Sequence, residues 1–124
     1  MRVLTVLIVE DDSEVRLLLA EGFQGCGHDV LEAADGQKAL DLLRAGLRPD
    51  VIVLDVVMPI MDGLTFLSHK RRAPELSRIP VVIVSATNEG PVDGVHCVLR
   101  KPFELDDLLE TVHQCAHARP GSAA

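Results

Sequence analysis

Short runs of consecutive Val, Ile and Leu alternate along this chain with stretches in which apolar residues recur every three or four positions. The runs Leu4 to Val9, His28 to Ala33, Val51 to Asp55, Val81 to Ser85 and His96 to Arg100 read as strands. They lack an in-out polar alternation, as expected of strands whose sheet is covered on both faces. Between the first two, Val15, Leu18, Leu19 and Phe23 form one helical stripe, which Gly25 and Gly27 end. Ala39, Leu40 and Leu43 predict a second helix, Leu64, Leu67 and Lys70 a third, and Leu105, Leu108, Leu109 and Val112 the last. Alternation of this kind predicts an α/β fold: a parallel sheet with right-handed crossovers and helices on both faces.

Length and composition narrow the picture. The 124 residues fit one domain, read as 1–118, with 119–124 a flexible tail or linker stub of small residues, Pro and Gly. No apolar segment approaches the roughly 18 residues a membrane helix needs. The opening "MRVLTVLIVEDD" turns acidic at once and offers no cleavage site, so the cytoplasm is the expected compartment. Cys26, Cys97 and Cys115 lack metal-type spacing and are odd in number, which predicts free thiols. A net charge of −7 argues against a nucleic-acid surface and leaves proteins and cations as the expected partners.

The charge is concentrated where the chemistry should be. In an open parallel sheet, ligands bind beyond the carboxyl ends of the strands. The first strand ends in Glu10 and Asp11, with Asp12 following, and the third in "VIVLDVVMPIMDG" with Asp55. The fourth ends in Ser85 and the fifth in "VLRKPF" with Lys101. Glu10, Asp11 and Asp55, a hydroxyl and an ammonium thus meet at one edge. Oxygen ligands of this kind suit Mg²⁺, which would relieve the crowding. The plainer account is that Glu10, Asp11 and Asp12 only offset the dipole of the helix that follows, with Asp12 or Ser13 as its cap.

Four motifs, "LIVEDD", "LDVVMPIMDG", "VSA" and "RKPF", stand in this order over roughly Leu4 to Ala116. Together they are similar to the receiver domain of bacterial two-component response regulators. The resemblance implies a flavodoxin-like, doubly wound sheet of five parallel strands in order 2-1-3-4-5. It implies that Asp55 is the phosphoacceptor, a carboxylate nucleophile served by a sensor histidine kinase or phosphotransfer protein. Asp11, Asp55 and the backbone carbonyl of Val57 would hold Mg²⁺, with Glu10 reaching it through water. Lys101 and Ser85 would contact phosphoryl oxygens, and Pro102 matches the family's cis proline. Val57 and Thr87 occupy the positions that govern water access to the acyl phosphate, and Val57 cannot orient a water, so slow self-dephosphorylation is implied.

Outside the pocket, Pro59 and the Asp62–Gly63 pair read as turn punctuation, Phe66 and Phe103 as core, and "KRRA" from Lys70 as a solvated helix end. His113 and His117 stand four apart and read as a solvated face.

The sequence also departs from the family. Ser85 and Lys101 are 101 − 85 = 16 positions apart. That is roughly six residues short of the usual receiver, about one and a half helical turns. With "TNEGPVDG" in between, the family's fourth helix is expected to be shortened or missing. Val98 stands where an aromatic rotor is usual, so the altered loop Ala86 to Gly94 is the expected switch element.

Two rival functions follow. An aspartyl-phosphate phosphatase needs a second Asp two residues after the nucleophile, but Asp55 is followed by Val56 and Val57, and no other catalytic motif is present. A degenerate receiver would bind partners constitutively, without phosphorylation. The expectation is therefore a signalling receiver, not an enzyme, with a downstream protein as its output.

Overall fold

The apolar runs form β1 (Thr5–Val9), β2 (Asp29–Ala33), β3 (Val51–Asp55), β4 (Val81–Ser85) and β5 (Cys97–Arg100). All pair in parallel, in the order β2-β1-β3-β4-β5. The helices are α1 (Ser13–Gly25), α2 (Gly36–Arg44), α3 (Gly63–Arg72), α4 (Pro74–Ser77) and α5 (Leu105–His117). This computed structural model describes residues 3–55, 63–85, 97–100 and 103–117. Among them, no helix is long and apolar enough to cross a membrane.

Strand side chains alternate between faces, and here both faces are dry. Val6 and Ile8 of β1, Val51 and Val53 of β3, and Val82 and Val84 of β4 pack under α1 and α5, against Leu19, Phe23, Leu108 and Val112. Leu7, Val9, Ile52, Leu54, Val81 and Ile83 pack under α2 and α3, against Leu40, Leu43, Phe66 and Leu67. Each fully buried side chain of this size contributes roughly 1.5–3 kcal/mol. The two layers explain why the strand sequences are apolar at successive positions.

Helix starts follow local rules. The Asp12 carboxylate caps α1, accepting from the backbone N–H groups of Glu14 (2.9 Å) and Val15 (3.2 Å). Asp35, buried at 3% exposure, accepts the Lys38 N–H at 2.8 Å and caps α2. A lost cap of this type costs about 1 kcal/mol. Gly27 follows α1 with φ 88°, a left-handed turn that favours glycine.

Several expectations need correction. Leu18 is 68% exposed, and the buried residues of α1 are Leu19, Ala20 and Phe23. The stripe advances Val15, Leu19, Phe23, so Leu18 lies about 100° off it. Lys70 is not part of a solvated helix end, unlike the exposed Arg71 and Arg72. It is 1% exposed because α4 folds over it, and its Nζ donates to the Ser77 carbonyl at 3.2 Å. The short α4, begun by Pro74, was not foreseen from the sequence. The altered loop expected between the fourth and fifth strands lies outside the described residues, as does the tail.

Candidate functional site

The chain leaves β1 for β2 on one side and returns to β3 on the other, so strand order reverses between β1 and β3. Val9 is level with Leu54, which brings Glu10 and Asp11 beside Asp55. Ligand oxygens of Glu10, Asp11 and Asp55 lie within 4.8 Å of one another. Glu10 is 3% and Asp55 8% exposed, while Asp11 is exposed to solvent.

Crowding leaves a physical trace on Glu10. Burial pushes its carboxyl up to about 7, and the neighbouring Asp11 and Asp55 push the same way, against a partial offset from the Asp12 backbone N–H at 3.3 Å. Near neutral pH, then, Glu10 holds a proton only about half of the time, which eases but does not remove the crowding. The exposed Asp11 carboxylate, the buried Asp55 carboxylate and a third carboxyl that could give up its proton would make a donor set suited to a small divalent ion such as Mg²⁺.

Arg16, which sequence reasoning missed, braces this corner. Its Nη1 donates to the Glu10 carbonyl at 2.8 Å, and its Nε pairs with Glu32 of β2 at 3.3 Å. The spacing from Glu10 gives no sequence signal, because the contact depends on how α1 folds back over β1. Ser85 closes β4 level with Arg100, one residue before Lys101, so the fourth and fifth strands end at the same edge as Asp55. Val57, Lys101 and Pro102 lie outside the described residues.

Two further expectations change. His113 is half-buried rather than solvated: its Nε2 lies 3.0 Å from Nε2 of His28, just before β2. Phe66 is fully buried, whereas Phe103 is only partly so. Cys26, Cys97 and Cys115 are free thiols; burial pushes Cys115 up to about 12, reinforced by Cys97 beside it.

A doubly wound parallel sheet with carboxylates gathered at its switch point defines a receiver-type α/β domain. The chain belongs to the response regulator receiver domain family, whose model matches residues 6–113. It is 40% identical over 120 residues to the Regulator of RpoS of Escherichia coli K12, covering 90% of this chain and 34% of that one. It is 39% identical over 118 residues to the sensor kinase CckA of Brucella abortus, covering 89% of this chain and 12% of that one. Among solved structures, the chemotaxis response regulator CheY4 of Vibrio cholerae superposes with a TM-score of 0.83 at 30% identity, covering 92% and 99% of the two chains. The chain thus spans about a third or less of these two curated relatives, and nearly all of the solved receiver.

Proposed function

We propose that Asp55 is the phosphoacceptor of a two-component receiver, taking a phosphoryl group from the phosphohistidine of a sensor histidine kinase or phosphotransfer protein. A carboxylate oxygen of Asp55 attacks phosphorus, the P–N bond breaks, and its electron pair returns to the imidazole nitrogen. The observation that carries this reading is the convergence of Glu10, Asp11 and Asp55 at the β1/β3 switch point. Asp11, Asp55 and the Val57 carbonyl are the proposed Mg²⁺ ligands, with Glu10 reaching the ion through water. When bound, the ion supplies positive charge against the equatorial phosphoryl oxygens. Lys101 would neutralise one of those oxygens, and the Ser85 hydroxyl would donate to another. Arg16 keeps the Glu10 backbone fixed while its carboxyl gives up a proton.

On this reading the chain is a signalling module of the cytoplasm, not an enzyme with a separate substrate. Its output is contact with a downstream protein, with no role in binding nucleic acid or membrane. A second reading, constitutive partner binding, draws support from Val98, which is 45% exposed on β5 and lacks the aromatic ring the family uses there.

Intact-mass analysis after incubation with acetyl phosphate separates the two. A Mg²⁺-dependent phosphoryl adduct, absent from Asp55→Asn, is expected. No adduct in a folded protein that still binds partners would favour the second reading.

A further inference from the structure

The acidic cluster occupies one end of the sheet; the opposite end carries the reverse charge. The chain has 12 Lys and Arg against 19 Asp and Glu. Yet Arg44, Arg48, Arg71, Arg72 and Arg78 are all exposed where α2 and α3 finish and β3 and β4 begin. Arg44, Arg71 and Arg72 stand in last helical turns, where a cation suits the dipole. Arg48, which donates to a last-turn carbonyl of α2, and Arg78, the C-cap residue of the short α4, follow those helix ends toward the sheet.

Those two hold equivalent positions. Each lies three residues before its strand, Arg48 ahead of Val51 and Arg78 ahead of Val81. The strands are neighbours, with Ile52 paired to Val81. Between the loops is a cavity of about 200 Å³ lined by Arg48, Pro49, Asp50, Arg78 and Ile79. Nη1 of Arg48 is held by the carbonyls of Leu43 (2.7 Å) and Leu47 (2.9 Å), which fixes its guanidinium at the rim. The Arg78 guanidinium has no hydrogen-bond or ion-pair partner among the described residues. Oδ2 of Asp50 accepts the Thr5 N–H at 2.8 Å, which ties that carboxylate to the β1 backbone. Pro49 and Ile79 are buried and supply an apolar wall.

We propose that this edge docks an acidic peptide segment of a partner protein, with one glutamate side chain seated between Arg48 and Arg78 and neighbouring acids met by Arg44, Arg71 and Arg72. A short aliphatic stem suits the Pro49 and Ile79 wall, and a planar carboxylate suits the guanidinium fork. Leu47, 38% exposed amid the arginines, adds an apolar contact. A phosphate dianion fits less well, because it meets more repulsion from Asp50 than a single carboxylate does. Nucleic acid fits less well again: the chain has no Tyr or Trp, and Phe23 and Phe66 are fully buried, so among the described residues the half-buried His69 is the one ring this edge offers a base. The site is independent of Asp55 and its phosphorylation.

The test uses the full chain and a fluorescent, glutamate-rich peptide in an anisotropy titration, with ¹⁵N amide shifts to locate binding. Arg78→Glu should weaken binding roughly tenfold or more, since it reverses a charge in the anchor. Lys38→Glu, an equal charge change at the start of α2, should alter it by less than about twofold. Shifts should gather at residues 44–50 and 71–79. Equal losses in the two variants, or shifts elsewhere, would overturn the proposal as general charge attraction. A single-stranded oligonucleotide of the same charge producing tighter binding and the same shifts would overturn it in favour of nucleic acid. Self-association removed by Arg78→Glu would give the site to a second copy of the chain.

Discussion

Nε2 of His28 lies 3.0 Å from Nε2 of His113, joining the foot of β2 to the middle of α5. The tautomers follow from a third group. The Leu4 backbone N–H donates to Nδ1 of His28 at 3.1 Å, so that nitrogen is an acceptor and the ring proton sits on Nε2. His113 must then accept through its own Nε2, which requires it to be neutral. The same bond argues against His28 as a metal ligand, because Nε2 is already protonated.

Burial lowers the His28 pKa below 6.5, helped by His113 and partly offset by Asp29. A folded value below the unfolded one means the unfolded chain binds the extra proton first. Stability from this pair is therefore full above pH 6.5 and is lost as pH falls through the folded value. An NMR titration should find His28 below 6.5. A His28 that titrates at or above 6.5 in the native chain contradicts the tautomer assignment.

Lys70 invites a second pH experiment. Burial lowers its ammonium to about 8 from an ordinary 10.5. Between those values the unfolded chain keeps a proton that the fold has shed, so the contribution of Lys70 to stability rises with pH across that window. Lys70→Met keeps the volume and removes the charge. Measured against wild type, its melting temperature should be relatively highest near pH 7 and should lose ground as pH approaches 10.5. A difference that stays constant over the range would show that the ammonium is not the source.

Glu10 sets stability against cation binding. In the metal-free protein, Glu10→Gln removes one acid from a crowded pocket and should raise stability by about 1 kcal/mol, or roughly 4 °C in melting temperature. On the proposed reading, added Mg²⁺ should raise the wild-type melting temperature, since the three acids come together only in the folded form. The gain should be smaller in the variant. Calorimetry showing an equal Mg²⁺ gain in both proteins would remove Glu10 from the site.

The strands were legible because both sheet faces are buried: an uninterrupted run of Val, Ile and Leu suits a strand covered on both sides, and β3 and β4 begin and end where the pattern says. The acids at Glu10, Asp11 and Asp55 were legible because they fall on strand ends. Tertiary partners were not. Nothing near His113 announces His28, which is 85 residues away. Lys70 reads as a surface cation until α4 covers it. Gly22, in the interior of α1, reads as a weak helix position. In the fold, Leu105 of α5 lies over it, and an added Cβ would come within 2.6 Å of that side chain. Arg48 and Arg78 are far apart in sequence and meet only because β3 and β4 are neighbours.

The position of β1 has a consequence for synthesis. Val6 pairs with Val30 on one side and with Val51 on the other. Asp11 therefore leaves the ribosome 55 − 11 = 44 residues ahead of Asp55, its partner in the acidic cluster. At roughly 5–20 residues per second, a nascent chain spends several seconds with Glu10 and Asp11 made and nothing to complete the cluster. Cation affinity should thus be absent from a chain stalled before β3 and should emerge only once β3 has slotted in beside β1.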